Sequence, residues 1–209
     1  QLKLMPASVG LTADGQATPA LLKKLAALGV DAAAVSALQR RPDGKAEALF
    51  LDFDGVLHPD AVYREHGRPV LHDQGELFMW SGLLIDALAS RPKVQIVLST
   101  SWAREFGFSR ACQYLPPALR SRVIGATWHS AMLHDDDYRP GNWWDQATRY
   151  EQIRRWTSRA TVRDWIAIDD QPDGWSDAER AKLIQTNSAT GLSDPAVLDR
   201  LFSLLRVDV

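Results

Sequence analysis

A chain of 209 residues, 45% apolar and with eight tryptophans, has room for one α/β domain and a small appendage. Its formal net charge of −2 gives no support for bulk electrostatic capture of nucleic acid or a membrane surface, and no apolar run of about 18 residues is present to span a bilayer. The single cysteine, Cys112, excludes an internal disulfide framework and suits a reducing, cytoplasmic setting.

Residues 1–47 read as a helical N-terminal arm with its linker. Thr18–Leu28 has Thr18 as N-cap, Pro19 in the first turn and Gly29 as stop. Asp31–Arg40 reads as a second short helix capped by Asp31, and Arg41–Lys45 as a turn-rich linker. Small amphipathic helices usually cover a core, so packing is the first reading of this arm, with docking of a protein partner and the remnant of a larger domain as the others.

Residues 48–209 then alternate strand and helix. Ala48–Phe53 is a predicted strand, Ser81–Ser90 a helix with Ser81 as cap, and Lys93–Leu98 a second buried strand rich in β-branched residues. Helices are predicted over Arg104–Gln113 and Pro117–Arg122, with a short strand at Val123–Gly125. A long polar loop with Trp and His follows, to about Asp145. Gln146–Ser158 reads as a helix, Trp165–Ile168 and Lys182–Gln185 as strands, and Asp194–Leu205 as a closing helix capped by Ser193. Such alternation implies a parallel, doubly wound sheet, whose ligands sit at the carboxyl ends of the strands.

Three of those strand ends carry chemistry. The first delivers Asp52 and Asp54, spaced i, i+2 and followed by Gly55, so both carboxylates leave a buried strand on one side. That arrangement is costly unless a cation binds it, and Mg²⁺ is the usual occupant. The second delivers Ser99, Thr100 and Ser101, and the fourth Asp169, Asp170 and Asp173.

These motifs resemble the haloacid dehalogenase (HAD) superfamily: a strand followed by Asp-x-Asp-Gly-x, here DFDGVL; a strand followed by Ser or Thr; and a strand ending in paired acids. Ser101-Trp102, Trp165 and the LIQT…GL run from Leu183 to Leu192 are similar to the HAD domains of polyfunctional RNA-repair proteins. The resemblance runs from about Ala48 to Leu205. It implies a HAD-like Rossmannoid three-layer sandwich, capless or with a minimal cap, because the spans around the second motif are too short for a large cap domain.

The resemblance also assigns roles. Asp52 attacks phosphorus to form an aspartyl-phosphate, and Asp54 protonates the leaving oxygen and then activates water. Mg²⁺ is expected on the Asp52 carboxylate, the Asp54 backbone carbonyl and Asp169 or Asp170. Ser99 binds a phosphoryl oxygen, with Thr100 second. The basic residue of the family is expected at Arg149, with Arg154 and Arg155 as rivals. Gly55, Thr100, Ser101, Trp102 and His58 complete the expected substrate-binding set. An aspartate at 54 points to a phosphatase or phosphomutase rather than a dehalogenase. The expected substrate is phosphorylated, preferably a nucleotide or nucleic-acid end. A small metabolite or phosphoprotein, and a non-catalytic scaffold whose N-terminal helices bind a partner, stay open.

Other features read as structural. HDDD, His134–Asp137, is a solvated acidic loop, since adjacent acids cannot all face one ion. Asp173 reads as a loop carboxylate, His66, His72 and His129 as surface or packing residues, and Cys112 as unpartnered. Trp102, Trp143, Trp144 and Trp175 read as packing at loop bases, with stacking on nucleobases as the alternative.

Overall fold

The computed structural model describes residues 48–128, 143–160, 162 and 164–205. The chain divides into two units, Gln1–Pro42 and Asp43–Val209, and every described residue belongs to the second. The helices expected in residues 1–47, His129 and the His134–Asp137 loop lie outside the described residues.

The apolar strand β1 (Ala48–Leu51) is buried along its whole length and has parallel neighbours on both sides. These are β4 (Gln95–Leu98), paired Ala48 to Gln95 through Leu51 to Leu98, and β6 (Trp165–Asp169), paired Ala48 to Trp165 through Leu51 to Ile168. With β5 (Val123–Ala126) and β7 (Leu183–Gln185) outside them, the order is β5-β4-β1-β6-β7, all parallel. Continuous apolar runs, rather than alternating ones, are what a sheet covered on both faces demands.

Strand alternation divides the core in two. Leu49, Leu51, Ile96, Leu98 and Ile168 turn to the face packed by α1 (Ser81–Ala89) and α7 (Pro195–Leu205). Ala48, Phe50, Val97, Trp165 and Ala167 turn to the other, where Ile153 and Trp156 of α6 (Arg149–Arg159) cover them. The expected three-layer sandwich is therefore present. Chain order reverses at β1, so the carboxyl ends of β4, β1 and β6 meet at the crevice where such sheets bind ligands.

Several boundaries differ from the sequence reading. The Arg104–Gln113 helix is two short ones, α2 (Trp102–Glu105) and α3 (Phe108–Tyr114), interrupted at Gly107 with φ 84°. α4 is Pro117–Arg120. Ser81 begins α1 without a capping bond, and at α7 the cap is Asp194, whose Oδ1 accepts from the Ala196 N–H at 2.8 Å. The helix expected from Gln146 starts instead at Arg149, after the short α5 (Trp143–Gln146). A hairpin that the sequence reading missed, β2 (Val62–Glu65) and β3 (Arg68–Leu71), follows the first motif. His66 and Gly67, both at positive φ, form its two-residue turn, the combination that matches strand twist. It is a minimal cap at most.

Candidate active site

The β1 end is a tight turn. The Phe53 N–H donates to Asp52 Oδ1 at 2.7 Å, and the Leu57 N–H donates to the Phe53 carbonyl at 2.8 Å. Gly55 takes φ 67°, and a Cβ there would lie 2.6 Å from Asp170 Oδ2. Only glycine lets the first motif approach the fourth this closely. Thr186, just past β7, donates from Oγ1 to the Gly55 carbonyl at 2.7 Å and fixes the turn from the other side.

Oxygens of Asp52, Asp169 and Asp170 all lie within 4.8 Å of one another. Among the described residues, one cation enters this cluster. Arg149 donates from Nη2 to Asp52 Oδ2 at 3.2 Å, and its Nε lies 3.2 Å from Asp169 Oδ2. Its position follows from local sequence. Thr148 and Glu151 form a capping box, with the Glu151 N–H donating to Thr148 Oγ1 and the Thr148 N–H to Glu151 Oε2, which puts Arg149 in the first turn of α6. Gln152 donates to the carbonyls of Trp144 and Ala147, tying α6 to the end of α5. The rivals are elsewhere: Arg154 is exposed, and Arg155 lies over the Trp143 ring.

One guanidinium against three carboxylates leaves the site short of positive charge. Burial pushes Asp52 well above the ordinary carboxylate range; Arg149 opposes this, while Asp169 and Asp54 reinforce it. Burial likewise raises Asp169, against Arg149, to about 6. Asp170 is also raised to about 6, by burial and by Asp60. Burial works against the Arg149 charge, but Asp52, Asp169, Asp170 and Asp54 together lift it above its usual value. Asp169 Oδ2 is buried and ion-paired with Arg149 Nε, with no well-formed hydrogen bond among the described residues. An all-oxygen, carboxylate-rich cluster with an unsatisfied buried oxygen fits Mg²⁺, a hard cation that takes oxygen ligands.

Ser99 leaves β4 with its N–H on the Leu51 carbonyl, and its Oγ is buried without a hydrogen-bond partner among the described residues. The rest of the expected substrate-binding set is mostly buried. Thr100 is buried and its Oγ1 accepts from the Trp102 N–H at 3.4 Å, serving the start of α2. Gly55 is buried in its turn. Ser101 alone of the set is half-buried. His58 and Trp102 are 0% and 2% exposed, and both direct their ring nitrogens at Asp54: Nε2 of His58 lies 3.1 Å from Oδ1, and Nε1 of Trp102 lies 3.0 Å and 2.9 Å from Oδ1 and Oδ2. Sequence pattern had no means of showing this, because the contact from Trp102 to Asp54 spans 48 positions.

Trp144 and Trp175 are buried too, which favours packing at the loop bases over base stacking. Asp173 is exposed. Burial pushes the half-buried Cys112 thiol up to about 11, which keeps it unreactive. Among the described residues, no helix is long and apolar enough to cross a membrane.

Among known proteins, the family model described as "HAD domain in Swiss Army Knife RNA repair proteins" matches residues 48–197. Short stretches are similar to glycine–tRNA ligase β subunits. The identity is 78% over 50 residues with Paracidovorax citrulli, 76% over 50 with Thiobacillus denitrificans and 59% over 64 with Janthinobacterium sp. (strain Marseille). These cover 24%, 24% and 30% of this chain but only 7%, 7% and 9% of the relatives, so the chain spans under a tenth of the curated relatives it matches. No solved structure matches.

Proposed function

The chain belongs to the family of HAD domains in Swiss Army Knife RNA repair proteins, and from that premise we propose that it is a Mg²⁺-dependent phosphomonoesterase working through an aspartyl-phosphate. The observation that carries the proposal is the bridge made by Arg149 between Asp52 and Asp169 at the meeting point of three strand ends.

Asp52 is the nucleophile. Its carboxylate is fixed on one oxygen by the Phe53 N–H and on the other by Arg149, so it is held in one orientation for attack. Arg149 offers the charge that lets an anionic nucleophile meet an anionic phosphate, and Ser99 Oγ is an unspent donor for a phosphoryl oxygen. The carboxylates of Asp52, Asp169 and Asp170 and the Asp54 carbonyl would hold Mg²⁺. When bound, the ion supplies the positive charge that the cluster lacks and screens the transferring phosphoryl oxygens. Asp54, whose side chain is partly in solvent, gives its proton to the leaving oxygen, then takes one from the water that hydrolyses the Asp52 acyl phosphate.

The preferred substrate is the phosphate end of a nucleotide or nucleic acid. Support comes from the family description, which names RNA repair, and from a hairpin too small to enclose the site. The ligase similarity lends no activity to this chain, since it concerns less than a tenth of that subunit. The test is phosphate release with and without Mg²⁺, for wild type and Asp52→Asn, on an aryl phosphate, nucleoside monophosphates and 3′- and 5′-phosphorylated oligonucleotides. Release that needs both Mg²⁺ and Asp52, and is fastest on oligonucleotide ends, supports the whole reading. Release confined to small phosphates removes the nucleic-acid part, and none from any substrate favours a scaffold.

A further inference from the structure

We infer that His58 and Trp102 are positioning residues for Asp54: they clamp its carboxyl group through two N–H donors so that its transferable proton can leave only toward the open side of the site. The inference rests on the reading of Asp54 as proton donor and adds to it the residues that make the donor directional.

The hydrogen-bond inventory is one-sided. Trp102 Nε1 is an N–H that can only donate, and it is shared between Asp54 Oδ1 and Oδ2 at 3.0 Å and 2.9 Å. His58 could in principle accept, but its Nδ1 already takes the backbone N–H of Phe78 at 3.3 Å. A backbone N–H cannot accept in return, so the ring hydrogen resides on Nε2 and is directed at Asp54 Oδ1, 3.1 Å away. Neither neighbour has a lone pair to offer. A proton on Asp54 therefore finds no acceptor in either ring, and its outlet is the 21% of the side chain that remains exposed.

Both donors are themselves packed among aromatic rings. The Trp102 ring is gripped edge-to-face by Phe53, Phe78, Phe106 and Tyr114, with centroids 5.0–5.5 Å apart. Phe78 also packs against His58 at 4.9 Å, and its backbone supplies the bond that selects the tautomer. Burying the Trp102 N–H is costly unless it is satisfied, and the Asp54 carboxylate is what satisfies it.

In the first half, the bond from Asp52 oxygen to phosphorus forms and the bond from phosphorus to the leaving oxygen breaks. That oxygen keeps the electron pair and receives the Asp54 proton, and the resulting carboxylate stays bonded to both N–H groups. In the second half, water attacks phosphorus, its proton returns to Asp54, and Asp52 recovers its electron pair as phosphate departs.

Leaving-group selectivity distinguishes this role from a structural one. An alkoxide leaves only if protonated, whereas a nitrophenolate needs no proton. The experiment compares kcat/KM for an alkyl phosphomonoester and p-nitrophenyl phosphate in wild type, Trp102→Phe, His58→Leu, His58→Gln and Asp54→Asn. Because the ratio of the two substrates is taken on one preparation, the fraction of folded enzyme cancels. Trp102→Phe and His58→Leu are expected to lower that ratio about 10-fold or more, a share of the 10²–10⁴ that acid catalysis contributes. His58→Gln, which restores an N–H donor, is expected to recover part of it. Equal losses on both substrates, with Asp54→Asn still selective against the alkyl ester, overturn the positioning role alone. Equal losses for Asp54→Asn as well overturn the acid assignment, and the positioning role with it.

Discussion

Arg149 and Asp52 are 97 positions apart in sequence, yet the guanidinium donates to the carboxylate at 3.2 Å inside the protein. The pair is buried on both sides, so each partner is expensive to leave alone. Removing the cation, as in Arg149→Met, should destabilise the metal-free protein by about 3 kcal/mol at pH 7.5, the usual cost of orphaning a buried charge. The loss should shrink at pH 5, where Asp169 and Asp170 can take up protons. Urea unfolding at the two pH values measures both. A deficit that is the same at pH 5 and 7.5 would mean that Arg149 contributes packing rather than charge.

The carboxyl cluster also sets a pH dependence with a definite sign. Folded Asp169 and Asp170 lie near 6, above the ordinary 3.8. The folded state thus binds more protons than the unfolded one between those values. Their contribution to stability is fully present below about pH 4 and is lost as pH rises through 6. Mg²⁺ competes with the same protons, so its stabilisation should be small at pH 5 and full above pH 7. Thermal melts with and without Mg²⁺ from pH 4.5 to 8 would show it. A Mg²⁺ shift in Tm that is flat across this range would place the ion outside the Asp52, Asp169 and Asp170 cluster.

Gly55 makes a third case. At φ 67°, an alanine would be strained and its Cβ would press on Asp170 Oδ2. Gly55→Ala should cost about 1–3 kcal/mol of stability and weaken Mg²⁺ binding, read by calorimetry. Wild-type affinity in a folded Gly55→Ala protein would exclude Asp170 as a metal ligand.

Much of this fold was legible in the sequence because parallel strands buried on both faces announce themselves as apolar runs. Ala48–Leu51, Gln95–Leu98 and Trp165–Asp169 are such runs, and each leads into buried carboxylates or hydroxyls at its carboxyl end. Arg149 was expected from the family resemblance, whereas the Thr148 and Glu151 capping box that sets the helix start went unread and the helix was placed from Gln146. What was not legible depends on long-range contact or on solvent exposure. The β2–β3 hairpin is largely exposed, so no hydrophobic alternation marks it; only the His66-Gly67 turn could have done so. His58 and Trp102 look like pocket residues because they flank the motifs. Whether such a ring faces substrate or turns beneath a carboxylate depends on how Phe53, Phe78 and Tyr114 pack, which local sequence does not encode.

The central claim is that Asp52 is phosphorylated during turnover. Its most direct test is acid quenching of the enzyme with Mg²⁺ and a phosphomonoester during steady state, followed by peptide mass mapping. The account expects one phosphoryl group on Asp52, labile to hydroxylamine as an acyl phosphate should be, and absent from Asp52→Asn or when Mg²⁺ is chelated. Sustained turnover by Asp52→Asn, with no adduct on the wild-type peptide, would contradict it.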